Sequence, residues 1–105
     1  MSALVFAIEH WRPGTAPSIY AKFAAEGRGL PDSVRILGSW TDPSLTTCWQ
    51  VMEGATADDL VTWREHWTEF MDIETITVIT IAEPRATMRL LEASAAAPRA
   101  RRMSF

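Results

Sequence analysis

The stretch Val34-Arg35-Ile36-Leu37-Gly38-Ser39-Trp40-Thr41-Asp42-Pro43-Ser44-Leu45-Thr46-Thr47-Cys48-Trp49-Gln50-Val51-Met52-Glu53 decides the fold. Its two halves alternate with a period of two, the signature of strands with distinct faces. Val34, Ile36, Gly38 and Trp40 alternate with Arg35, Leu37, Ser39 and Thr41. Thr47, Trp49, Val51 and Glu53 alternate with Thr46, Cys48, Gln50 and Met52. Asp42-Pro43-Ser44 between them is a turn with a mechanism: Asp accepts local backbone hydrogen bonds and Pro presets φ. The stretch is therefore a hairpin running from about Val34 to Trp40 and from Leu45 to Glu53.

Upstream, Ala3 to Glu9 alternates as a strand. Leu4, Phe6, Ile8 and His10 share one face, and Ala3, Val5, Ala7 and Glu9 the other. Arg12-Pro13-Gly14 ends it. Thr15 as N-cap and Pro17 in the first turn open a helix with Ile19, Phe23, Gly27 and Leu30 along one side. Gly27, Gly29 and Pro31 stop that helix. Downstream, Thr56 caps a second helix, with Asp59 at its third position in a box-like arrangement. Leu60, Trp63, Trp67 and Phe70 form its apolar stripe, with His66 at the edge. A last strand, Ile73 to Ile81, is dense in Thr, Ile and Val.

The order is βαββαβ: an α+β, ferredoxin-like arrangement with a four-stranded antiparallel sheet and two helices on one face. The chain of 105 residues suits one domain, expected over residues 1–82. An Ala- and Arg-rich extension, partly helical or disordered, is expected over residues 83–105. Apolar side chains occupy both faces of the outer elements: Leu4, Phe6 and Ile8 against Val5, and Ile76 and Val78 against Ile79 and Ile81. With helices on one face only, the other is left wet, which points to a homodimer through the sheet face. Coverage by the C-terminal extension is the competing solution.

Charge narrows the partners. Residues 1–82 carry five basic and eleven acidic residues, a balance of −6, whereas residues 83–105 carry five arginines against Glu83 and Glu92, a balance of +3. The acidic body is expected to repel nucleic acid. No apolar run reaches the ~20 residues of a membrane helix, and the N-terminus lacks a basic leader. The single cysteine, Cys48, rules out an intrachain disulfide and suits a cytoplasmic setting. No Walker A, G-x-G-x-x-G, H-E-x-x-H, C-x-x-C or G-x-S-x-G motif is present. Two histidines and one cysteine make a poor zinc set. Neither a cofactor nor a metal is expected.

Glu9 and His10 are the candidate acid–base groups, although as strand neighbours they point to opposite faces. Trp40, Trp49, Glu53 and His66 are the candidate ligand-binding residues; Trp63 and Trp67 are read as core. The series Ala7-Ile8-Glu9-His10-Trp11-Arg12-Pro13-Gly14, then Gly38-Ser39-Trp40 and Cys48-Trp49-Gln50-Val51-Met52-Glu53, resembles domain-of-unknown-function family number 3303. The resemblance covers about residues 4–82 and implies a dimeric α+β barrel. That group includes small monooxygenases and haem-degrading enzymes; the family itself implies no reaction. Three readings remain open: binding of a small apolar or aromatic molecule between sheet and helices, a cofactor-independent monooxygenase-like enzyme, and a structural dimerisation module.

Overall fold

The computed structural model describes residues 4–81 and 84–96. Its elements are β1 (Leu4–Trp11), α1 (Ala16–Glu26), β2 (Arg35–Thr41), β3 (Thr47–Glu53), α2 (Ala57–Trp67), β4 (Met71–Val78) and α3 (Pro84–Ala96). The four strands form one antiparallel sheet in the order β2-β3-β1-β4. This is the ferredoxin-like arrangement, extended by a third helix. Ala3, Ala82 and residues 97–105, which bound or complete the expected segments, lie outside the described residues.

The first strand runs past its expected end at Glu9. β1 continues through His10 to Trp11, because Thr46 and Phe70 still offer carbonyls to the amides of Trp11 and Arg12 at 2.8 and 2.9 Å. Only at Pro13 does the chain lose a donor. β3 begins at Thr47 rather than Leu45. Asp42 explains this: its carboxylate accepts from the Thr46 and Thr47 amides at 2.8 Å each, so the turn extends through Thr46 and the strand starts only at Thr47. Those donors, with the Ser44 hydroxyl, hold the Asp42 carboxyl far below its usual range. The turn also places Leu45 at φ 58°, where a non-glycine residue is uncommon. β4 covers Met71–Val78 instead of Ile73–Ile81, since its pairing with β1 runs from Trp11↔Met71 to Leu4↔Val78.

The helix starts differ in kind. Thr56 accepts from the Asp59 amide at 3.1 Å, and Asp59 accepts from the Thr56 amide at 2.9 Å, a complete capping box. Thr15 precedes α1 but caps nothing with its side chain. Its φ and ψ of −91° and −9° are not the extended values a capping side chain needs, and its Oγ1 donates to the Arg12 carbonyl instead. At the other end Gly27 adopts φ 74° and returns its N–H to the Phe23 carbonyl, closing α1 as expected.

α1 and α2 cover the β1 face that carries Val5, Ala7, Glu9 and Trp11. Val5, Ala7 and Trp11 are buried with Ile19 of α1, Trp63 and Trp67 of α2, Cys48 and Met52 of β3 and Met71 of β4. Trp67 also ties the layers together, donating its indole N–H to the Arg28 carbonyl at 2.7 Å.

One register break re-sorts β2. Ile36 pairs with Met52 and Gly38 with Val51, leaving Leu37 as an extra residue in a bulge. Simple alternation puts Ile36, Gly38 and Trp40 on one face. The bulge separates them: Ile36 packs into the core, while Gly38 and Trp40 turn to the open face and Ser39 and Thr41 to the covered one. A Cβ at Gly38 would lie 2.3 Å from the Trp40 ring, so the indole occupies the space that a glycine leaves.

Trp63 is 1 % exposed and sits at the centre of the core. Trp63→Ala is expected to lose about 3–5 kcal/mol of stability in denaturant melts. A loss below about 1 kcal/mol would mean that the site collapses around the deletion.

Candidate functional site

A cavity of about 210 Å³ lies between the covered sheet face and the helices. Each element contributes according to its period. From β1 come Glu9 and Trp11, two residues apart and so on the same face. From β3 come Cys48 and Gln50, and from the bulged β2 come Ser39 and Thr41. The helices add Ile19, Tyr20 and Phe23 from α1 and Trp63 and Trp67 from α2, with Met71 at the start of β4. Arg28, just past the end of α1, completes the wall. Most of the lining is aromatic or aliphatic. Its polar groups gather on one side.

Those polar groups form a chain. Glu9 is 5 % exposed. Its Oε1 accepts from the Trp11 indole N–H at 2.9 Å, and its Oε2 accepts from the Gln50 side-chain amide. The Gln50 carbonyl in turn accepts from Arg28 Nη1 at 2.8 Å. Arg28 lies over the Phe23 ring at 5.3 Å, and Trp11 meets Tyr20 edge-on at 5.8 Å. Turning the Gln50 amide would set donor against guanidinium and acceptor against carboxylate, so its two neighbours fix its orientation. Burial pushes the Glu9 carboxyl above its ordinary 4.5, opposed by the hydrogen bonds from Trp11 and Gln50 and by the charge of Arg28. Burial, with the Glu9 charge, also pushes the Cys48 thiol up to about 11.

The six candidates from the sequence do not converge. Glu9 lines the cavity. His10 lies on the opposite sheet face, exposed, with Nε2 2.6 Å from Glu74. Trp40 and Trp49 pair across β2 and β3 on that same open face, and Glu53 is there too, 3.1 Å from Arg35. His66 sits on α2 against Gly29, where an added Cβ would lie 2.7 Å from the imidazole. The His66 ring meets Trp67 edge-on, and its buried Nε2 has no hydrogen-bond partner among the described residues. The aromatic wall of the cavity is thus built from Trp11, Trp63 and Trp67, not from Trp40 and Trp49.

Trp11, Arg28 and Gln50 escaped the reading from residues alone. A signal existed for two of them. Trp11 shares the parity of Glu9, and Gln50 interrupts the apolar pair Cys48 and Met52 as a polar group does when it has a buried partner. Arg28 follows the helix end, where spacing predicts no face. Among the described residues, no group of three or more His, Cys, Asp and Glu side chains is placed to hold a metal ion. No described helix is long and apolar enough to cross a membrane.

Two outcomes follow from this geometry. The folded protein holds the Glu9 proton more tightly than the unfolded chain does. That contribution to stability is fully present below the unfolded value and is lost as pH rises through the folded one. Glu9→Gln removes the dependence, so urea melts carried upward from the ordinary 4.5 should show the variant gaining on the wild type as pH rises. A constant difference would contradict the raised carboxyl. Cys48, buried and with its thiol pushed up to about 11, should resist alkylation by iodoacetamide at pH 8 in the folded protein and react once unfolded. Equal rates in the two states would contradict its burial.

The geometry can be set beside known proteins. No curated protein matches this chain, and no solved structure does. The family described as "Domain of unknown function (DUF3303)" matches residues 4–92. The match passes the end of β4 and enters α3, farther than the residues 4–82 that carry the motifs. With the four strands, α1 and α2 and much of α3 inside the match, the chain belongs to the DUF3303 family.

Proposed function

We propose that this chain is a homodimeric small-molecule-binding protein, holding an apolar or aromatic ligand in the cavity between sheet and helices. The observation that carries the reading is the cavity itself: about 210 Å³, walled by Trp11, Trp63, Trp67, Ile19 and Met71, with one buried carboxylate. A dry apolar cavity of about 150 Å³ already admits benzene, so this one has room for a larger ring system. Apolar walls with a few grouped polar side chains are what a small-molecule site needs. A module serving only to dimerise has no use for a carboxylate kept out of water at a desolvation cost.

The homodimer rests on the open face. Its rows across the sheet read Gly38-Val51-Phe6-Ile76 and Trp40-Trp49-Ile8-Glu74. Arg35 and Glu53 flank one end, and His10 and Asp72 the other. Trp40 is 57 % exposed and Ile76 49 %. An apolar centre with a charged rim is the anatomy of a protein interface. A second copy of the same face supplies a matching apolar centre.

A second reading draws support from Glu9. A carboxylate made more basic by burial, beside a space for an aromatic molecule, is a competent general base. That supports a cofactor-independent monooxygenase-like enzyme acting through Glu9. His10, on the far side of the sheet, has no access to a ligand in this cavity.

Light scattering on a sizing column should give twice the chain mass of 11.7 kDa, and Val51→Lys, in the middle of the open face, should give a monomer that stays folded. A monomeric wild type would remove the homodimer. For the ligand, an aromatic fragment screen by NMR should move the indole N–H signals of Trp11 and Trp67. A screen in which no fragment moves them would remove the binding reading.

A further inference from the structure

We infer that the cavity selects a neutral ring compound that carries a hydrogen-bond donor, a hydroxyl or a ring N–H, and that Glu9 accepts this donor. The inference rests on the ligand-binding reading above and names the class of ligand.

Three features of the site lead to it. First, Glu9 has acceptor capacity to spare. An ionised carboxylate offers about four lone-pair sites, and Trp11 and Gln50 occupy one on each oxygen. Glu9 lines the cavity, so the remaining sites lie beside the space that a ligand would fill. Second, the site is balanced in charge. The Glu9 carboxylate and the Arg28 guanidinium both line the cavity, joined through the Gln50 amide. Cys48, which also lines the cavity, stays a neutral thiol at ordinary pH. For an anionic ligand the repulsion of the carboxylate offsets the attraction of the guanidinium, and for a cationic one the reverse holds, so an ion gains little there to offset its own desolvation. A neutral ligand does not carry that desolvation cost. Third, the remaining wall is aromatic and aliphatic, and Trp11, Trp63 and Trp67 give it planar surfaces. Flat rings gain most from such walls. A ring without a donor would bind them but would leave the vacant carboxylate sites buried and unpaired, which forfeits affinity.

The same pair of charges accounts for the fixed Gln50 amide. Arg28 holds its carbonyl, so its NH₂ must face Glu9 and keep that carboxylate an acceptor. Gln50 and Trp11 are positioning residues for Glu9. They orient it and leave lone pairs on each oxygen for a ligand donor.

The experiment uses four probes of one shape on the full chain: naphthalene, 2-naphthol, 2-naphthoate and naphthylmethylammonium. Dissociation constants come from NMR titrations that follow the Trp11 indole N–H. The expected result is that 2-naphthol binds about tenfold or more tighter than naphthalene, the scale of a hydrogen bond to a charged group, and tighter than either ion. In Glu9→Gln the advantage of 2-naphthol over naphthalene should shrink toward unity; should that variant fail to fold, the wild-type ratio decides alone. Equal binding of 2-naphthol and naphthalene would overturn the role given to Glu9 while leaving a ligand cavity standing. Tightest binding by 2-naphthoate or by the ammonium would overturn the preference for a neutral ligand. Failure of all four to bind would overturn this inference together with the binding reading.

Discussion

A carboxylate taken out of water must be given donors, and the covered side of this sheet is arranged around that requirement. Glu9 lies in the middle of the sheet on β1, between Cys48 of β3 and Ile73 of β4 in register. Left unpaired there it would be costly to bury. Trp11 and Gln50 each supply a donor, and Arg28 completes the chain through Gln50. The positions of these partners follow from the strand period. Trp11 is two residues along β1, and Gln50 is two residues from the register partner of Glu9. The cavity lies beside this chain because the donors come from its own face of the sheet, while the tryptophans of α2 come from above.

The two sheet faces therefore carry different chemistry. The covered face buries one acid within an aromatic wall, beside the cavity proposed to hold a ligand. The open face is an apolar field with a charged rim, the surface proposed to meet a second copy. The bulge at Leu37 makes this division possible in β2. It sends Ile36 inward to the core, yet still allows Ser39 and Thr41 to reach the cavity and Trp40 to lie over Gly38 on the open side.

Element order was legible in the sequence because each boundary has a local cause. Asp42 organises its own turn, Thr56 and Asp59 close a capping box, and Gly27 ends a helix at positive φ. The core residues Trp63 and Trp67 were legible from helical spacing. What alternation could not supply was the face. It pairs Glu9 with Val5 and Ala7, and His10 with Phe6 and Ile8, but both sets are rich enough in apolar residues to lie beneath helices. Trp40, Trp49 and Glu53 share a face with His10, not with Glu9, so grouping all of these into one site depended on information that only the tertiary structure holds. The bulge was hidden for a related reason: an inserted residue such as Leu37 is apolar and fits the period on either side. Arg28 was hidden because it reaches the cavity from a connection, where no period applies.

Glu9 is a carboxylate held out of water beside the cavity, not an exposed surface acid. A pH titration of the Glu9 side-chain carboxyl carbon by ¹³C NMR tests it most directly. The structure predicts a midpoint above the ordinary 4.5, together with a matching change in the Trp11 indole N–H that donates to it. A midpoint at or below the ordinary value, with the Trp11 signal unmoved, would contradict the account.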